Sequence, residues 1–244
     1  MRAIDPRKGV PDTPLRFVAA VAAVGGLVPT PASRDATPTK VSTMNPSRLE
    51  DRFSLANSVI MLVDHQTGTI GWVKSQPTEV TIASARAMAR MALDYGMPLV
   101  LTTTMEENVG PTIPDLAQLA PDAYARRYRR GGQLSCWDDA TLAADVKAIG
   151  RKRVILAGLT TDICLFWAAT DALRLGYDVM VVADACGSMS LLGDQLTFDR
   201  LRDMGVTVCG VNQMQTELVN NFGTPEGQKA MKINLEEIIT RLMN

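Results

Sequence analysis

"RVILAGLTTDICLFWAATDALRLGYDVMVVAD" (153–184) decides the fold. After Arg153, residues 154–159 are a continuous apolar run, as a strand buried on both faces requires. Residues 162–175 are alanine-rich and stop at Gly176, a residue that ends helices because it accepts the left-handed conformation. A second strand, 178–184, is an apolar run set between Asp178 and Asp184. Strand, helix and strand in that order place two parallel strands in one sheet, joined by a right-handed crossover.

Outward from this unit the alternation continues in both directions. "SVIMLVD" (58–64) is another doubly buried strand. Val80, Ala83, Ala87, Met91 and Tyr95 share one helical face across 78–95, and Gly96 with Pro98 closes that helix. "PLVLTTT" (98–104) is a strand, 106–137 a loop rich in Pro, Gly and Arg, and 139–149 a helix. A helix at 194–204, ended by Gly205, leads to strand "VTVCGV" (206–211), and the chain from Met214 reads as helical. The pattern predicts an α/β fold, a three-layer α/β/α sandwich around a parallel Rossmann-like sheet.

With 244 residues and 46% hydrophobic composition, the chain suits one well-buried domain, assigned to 46–244. Residues 1–45 combine basic residues, the apolar run Phe17–Val28, and then small residues and prolines. The run is too short to span a bilayer, so no membrane partner is expected. It reads either as a cleaved secretory signal, sending the protein to the periplasm or outside, or as a disordered extension ahead of Met44, leaving it cytoplasmic; the second is preferred. A net charge of −1 offers no field for nucleic acid, despite the cluster "RRYRR" (126–130), which a solvated face or a subunit contact explains as well.

Four cysteines, at 136, 164, 186 and 209, form no CxxC pair and read as free thiols. His65 is the one histidine, whereas transition-metal centres commonly use two or three, so neither metal nor cofactor is expected. In parallel α/β sheets, ligands bind beyond the carboxyl ends of the strands. Asp64 ends one strand and Cys164 begins the helix after another, so both face one crevice. The free N–H groups at a helix start favour a thiolate at Cys164. Cys186 and Cys209 have no such helix start and read as packing residues. Plain alternatives exist for each residue: a cap or loop ion pair for Asp64, a buried spacer for Cys164. Trp72, Trp137 and Phe166 could line an apolar substrate pocket or simply fill the core, and Glu106 and Glu107 read as a charged loop.

"VDHQTG" (63–68), "RRGGQLSCWDD" (129–139), "AGLTTDICLFWAATDALRLGYDVMVVADACG" (157–187) and "RLRDMGV" (200–206) together resemble the isochorismatase-like cysteine hydrolase superfamily, nearest its YcaC-type branch. The resemblance spans about residues 50–223 and implies a triad of an acid, a basic residue and a cysteine. Asp64 matches the acid, Cys164 the nucleophile, and Arg130 the basic position, where much of the superfamily has lysine. Arginine cannot give up a proton, so it can serve only as a fixed charge and hydrogen-bond fork. Ser135 and Cys136 depart from the Asn-Ala usual in this branch. The resemblance further implies a cis peptide between Leu159 and Thr160, aiming the Thr160 and Cys164 N–H groups at one oxyanion.

The function expected on these grounds is hydrolysis of a C–N bond in a small amide-like substrate through a thioester, by a homo-oligomer. Two alternatives stand beside it. One is a catalytically silent binding or assembly module; the other is vinyl-ether hydrolysis of the isochorismatase type, which Cys164 argues against.

Overall fold

A computed structural model describes residues 52–243. Six parallel strands form one sheet in the order β3-β2-β1-β4-β5-β6: β1 (Ser58–Val63), β2 (Leu99–Thr104), β3 (Tyr128–Arg130), β4 (Arg153–Gly158), β5 (Asp178–Val182) and β6 (Thr207–Cys209). The main helices are α1 (Thr67–Gly71), α2 (Thr78–Tyr95), α3 (Glu106–Val109), α4 (Pro114–Leu119), α5 (Pro121–Ala125), α6 (Ala140–Ala148), α7 (Phe166–Arg174), α8 (Leu191–Asp203), α9 (Val211–Val219), α10 (Pro225–Ile233) and α11 (Thr240–Met243). The α/β sandwich with a parallel Rossmann-like sheet is therefore as expected. The reading of residues 1–45 as a signal or extension lies outside the described residues.

The core sits on β1 and β4, which pair over their full length from Ser58–Arg153 to Val63–Gly158. Val59, Ile60, Met61, Leu62 and Val63 are buried, each burial contributing about 1.5–3 kcal/mol. On α2 the buried face is built mainly from Ala83, Ala87, Met88, Met91 and Ala92. Alanines let a helix approach the sheet closely at no cost in side-chain entropy. Gly96, at φ 64°, ends α2 in the left-handed conformation and returns its N–H to Ala92 and Leu93.

Three readings change in detail. The expected loop 106–137 contains α3, α4, α5 and the edge strand β3, which pairs with β2 from Thr102–Tyr128 to Thr104–Arg130. At three residues, β3 is too short and too charged to announce itself by alternation. The helix after β4 begins not as α-helix but as a π-helical turn, Thr161–Leu165, that runs into α7. The run 206–211 divides: β6 stops at Cys209, and Val211 starts α9 because its N–H is taken by both carboxylate oxygens of Asp184, at 2.9 and 3.0 Å.

Candidate active site

Strand order reverses between β1 and β4, so the loops that follow these two strands border the crevice of the fold. Asp64 follows β1 directly and adopts φ 55°, a conformation that aspartate tolerates better than most residues. Its carbonyl accepts from Thr69 Oγ1 at 2.7 Å and from the Gln66 N–H at 2.8 Å, which fixes the turn. Gln66 in turn clamps the next loop: its Oε1 accepts from the Thr104 N–H, and its Nε2 donates to the carbonyls of Thr104 and Gly110.

Arg130 comes from the far edge of the sheet and reaches across β2 to Asp64. Nη2 donates to Asp64 Oδ2 at 2.6 Å and Nη1 to Oδ1 at 3.0 Å, with both side chains fully buried. Thr102, on the intervening strand, donates to Asp64 Oδ1 at 2.7 Å and accepts from Arg130 Nη1 at 3.1 Å. Arg130 Nε reaches the Gln133 carbonyl at 3.2 Å. This is the bidentate fork pairing that arginine permits and lysine does not.

Cys164 lies in the π-helical turn, 8% exposed, with its thiol within the field of the Asp64 carboxylate. Gly158 makes this approach possible. A Cβ there would stand 3.0 Å from Val63 Cβ and 3.2 Å from Leu165 Cβ, so any side chain would push the end of β1 away from the cysteine turn. The Leu159–Thr160 peptide is cis. The Leu159 N–H donates to Val63 and the Thr161 N–H to Gly187, while Thr160 Oγ1 donates to Asp162 at 2.7 Å.

Burial, then the Asp64 charge, push the Cys164 thiol up from its ordinary value; Arg130 opposes them. The helix start favours the thiolate, and the low dielectric of the site works against it. Cys136 is fully buried and pushed up to about 12, chiefly by desolvation. Cys186 and Cys209 are buried as well, in line with packing roles.

Two of the three aromatic residues, Trp137 and Phe166, pack in the same buried cluster as Cys164. Trp137 donates its indole N–H to the Ala168 carbonyl at 2.8 Å and stacks on Tyr177. Phe166 packs edge-on against Trp167 beneath the Arg200 guanidinium. Trp72 follows α1 and is 45% exposed. His65 donates Nε2–H to the Ala185 carbonyl at 2.8 Å, and burial lowers its pKa to about 4. Glu106 is held below the usual carboxylate range by its ion pair with Arg127, at 2.6 Å. Sequence reasoning missed Thr102, Thr69 and Gln66 as supports of the acid. The run of threonines ending β2 was their one visible signal.

An acid after β1, a fork-bound cation at the end of β3 and a thiol in the turn after β4 thus come together at one end of the sheet. The isochorismatase domain family matches residues 58–213, and the chain belongs to that family. It is 32% identical over 155 residues to the probable hydrolase YcaC of Escherichia coli, covering 63% of this chain and 74% of that protein. Over 185 residues it is 27% identical to the secreted isochorismatase effector Isc1 of Phytophthora sojae, covering 75% of this chain and 86% of that one. Among solved structures, YcaC from Pseudomonas aeruginosa, with hexane-2,5-diol and covalent acrylamide, superposes with a TM-score of 0.72 at 27% identity, covering 79% of this chain and 94% of that one. The E. coli YcaC structure, described as an octameric hydrolase of unknown specificity, superposes equally well at 27% identity, covering 78% and 93% of the two chains. The chain is an isochorismatase-family hydrolase. Among the described residues, no helix is long and apolar enough to cross a membrane.

Proposed function

We propose that the protein hydrolyses a C–N bond of a small amide through a thioester on Cys164. The observation that carries this reading is the fully buried Asp64 carboxylate, held on both oxygens by Arg130, with the buried Cys164 thiol in its field. As sulfur attacks the amide carbonyl carbon, Asp64 takes the thiol proton, and Arg130 keeps the acid fixed in place. The oxyanion rests on the N–H groups of Thr160 and Cys164, with the Leu159–Thr160 cis peptide orienting the first. On collapse the C–N bond breaks, and Asp64 passes its proton to the leaving nitrogen. Asp64 then takes a proton from water attacking the thioester and returns it to the Cys164 sulfur as the acid product leaves. The covalent acrylamide on the Pseudomonas relative supports a reactive group in this family.

The protein is further proposed to be a homo-oligomer. Ile163, Met189, Leu191, Leu192 and Leu196 are exposed together near the cysteine turn, and the E. coli relative is an octamer. Light scattering of the purified chain is expected to give a mass above that of one chain.

The mechanism is tested by screening small aliphatic and aromatic amides for ammonia or amine release. Cys164→Ala is expected to abolish turnover while the circular dichroism spectrum stays unchanged. Intact-mass spectrometry of a quenched wild-type reaction is expected to show the acyl adduct. An active alanine variant would refute the reading. The burial of Cys164 also favours a second reading, a silent binding module, for which no amide is turned over and Cys164 resists alkylation at every pH where the protein is folded.

A further inference from the structure

We propose that a cavity beside Arg130 takes the charged head of an α-amino acid, so that the amide presented to Cys164 is one carried by a zwitterion. That the amide is cleaved rests on the hydrolytic reading above; the binding of the head does not. A cavity of about 400 Å³ lies at the carboxyl ends of β2 and β3, with Met105, Glu106, Glu107, Arg129 and Arg130 in its wall. That volume is in the range of small-molecule sites. Carboxyl strand ends are also where parallel α/β sheets bind ligands.

The wall is fastened to the turn of the acid as well as to the arginine. Gln66, two residues after Asp64, holds the loop through Thr104 and Gly110. The Thr67 N–H donates to the Pro111 carbonyl at 2.9 Å, and a Cβ on Gly68 would stand 2.6 Å from the Val109 carbonyl oxygen, so the two loops meet backbone to backbone. On the other side, the Met105 N–H donates to the Arg130 carbonyl at 2.8 Å. Met105 itself holds φ 44°, a left-handed backbone that is uncommon outside glycine. The bonds around it keep the wall in this shape.

The charges of the wall divide into two sets. Glu106 is engaged by Arg127 and Thr103, at 2.6 and 2.7 Å, and Arg130 by Asp64. Glu107 and Arg129 are exposed and, among the described residues, take part in no hydrogen bond or ion pair, not even with each other. A purely anionic ligand would leave Glu107 unanswered, and a purely cationic one Arg129. An α-amino acid answers both, its carboxylate on the planar fork of Arg129 and its ammonium on Glu107. Arg130, in the same wall, links the head to the reacting groups.

The test is calorimetric titration of full-chain Cys164→Ala, which keeps the cavity and removes the nucleophile. L-Asparagine and L-glutamine carry an amide one and two methylenes from the head; propionamide and butyramide are the same amides without it. Saturable binding of one asparagine or glutamine per chain is expected, with the headless amides about tenfold weaker. Glu107→Gln and Arg129→Gln, exposed and without partners, should leave the circular dichroism spectrum unchanged and each weaken that binding about fivefold. Glutaramate, which lacks the ammonium, should sense Arg129→Gln but not Glu107→Gln. Equal binding of the headless amides, no binding of either amino acid, or binding unmoved by both substitutions overturns the proposal. The hydrolytic reading fails separately. If the wild type turns over no amide yet binds an amino acid through Glu107 and Arg129, the head site stands and the thioester falls. If it turns over butyramide and glutamine alike, the thioester stands and the head site falls.

Discussion

Replacing Asp64 with asparagine should separate the reactivity of Cys164 from catalysis. Asparagine keeps the volume and tolerates the left-handed backbone, so the turn after β1 survives. What disappears is the negative charge that, after burial itself, does most to raise the Cys164 thiol. A unit charge at about 4 Å, in an effective dielectric of about 20, contributes about 4 kcal/mol, or about 10³ in thiolate population. A less basic thiolate is also a weaker nucleophile, with a Brønsted coefficient of about 0.5, so the net gain in alkylation rate at neutral pH is about 30-fold. Turnover should move the other way and fall by about 10²- to 10⁴-fold, because asparagine cannot accept the thiol proton. The assay is iodoacetamide labelling of Cys164, followed by peptide mass spectrometry and compared with amide turnover by the same preparation. Stranding the Arg130 cation in the interior costs about 3–5 kcal/mol, so both are measured where circular dichroism shows the variant folded. Labelling of folded Asp64→Asn at or below the wild-type rate would refute the reasoning, since the acid would then not govern the thiol.

Two further outcomes follow from the same geometry. Arg130→Lys keeps the charge but gives up the fork to Asp64 and the contacts to Thr102 and Gln133, and should lose about 2–3 kcal/mol in urea denaturation, whereas a change below about 0.5 kcal/mol would contradict the bidentate description. His65 is buried with its pKa lowered to about 4. Between pH 6.5 and 4 the unfolded chain therefore binds a proton that the folded one refuses, and stability falls by about 3 kcal/mol across that window. His65→Gln should flatten this slope, and the single histidine resonance of the folded protein should stay neutral to about pH 5.

Much of this was legible in the sequence because the inner strands are buried on both faces. The runs at 58–63 and 153–158 can be nothing but central parallel strands, and once they are neighbours Asp64 and Cys164 must meet. Arg130 was found only through its resemblance to a family motif: the strand that delivers it has three residues, and nothing in "YRR" distinguishes a strand from a basic loop. Thr102 was invisible for a different reason. Its hydroxyl matters because it lies between Asp64 and Arg130, a relation between three strands that no local pattern encodes. The helix start that favours a Cys164 thiolate is written in the sequence, while the burial and adjacent carboxylate that oppose it arise only on folding.

The cation of the site hangs from an edge strand of three residues, which has β2 as its one neighbour in the sheet. Strand edges open more readily than the centre, with local free energies far below that of global unfolding. Opening of β3 withdraws the guanidinium and leaves Asp64 as a bare charge facing the thiol, while β1 and β4 remain zipped behind it. Loss of the Arg130–Asp64 pair is therefore expected to precede loss of the fold on heating. Backbone amides at Tyr128–Arg130 should exchange with deuterium long before those of Ile60 or Ile155.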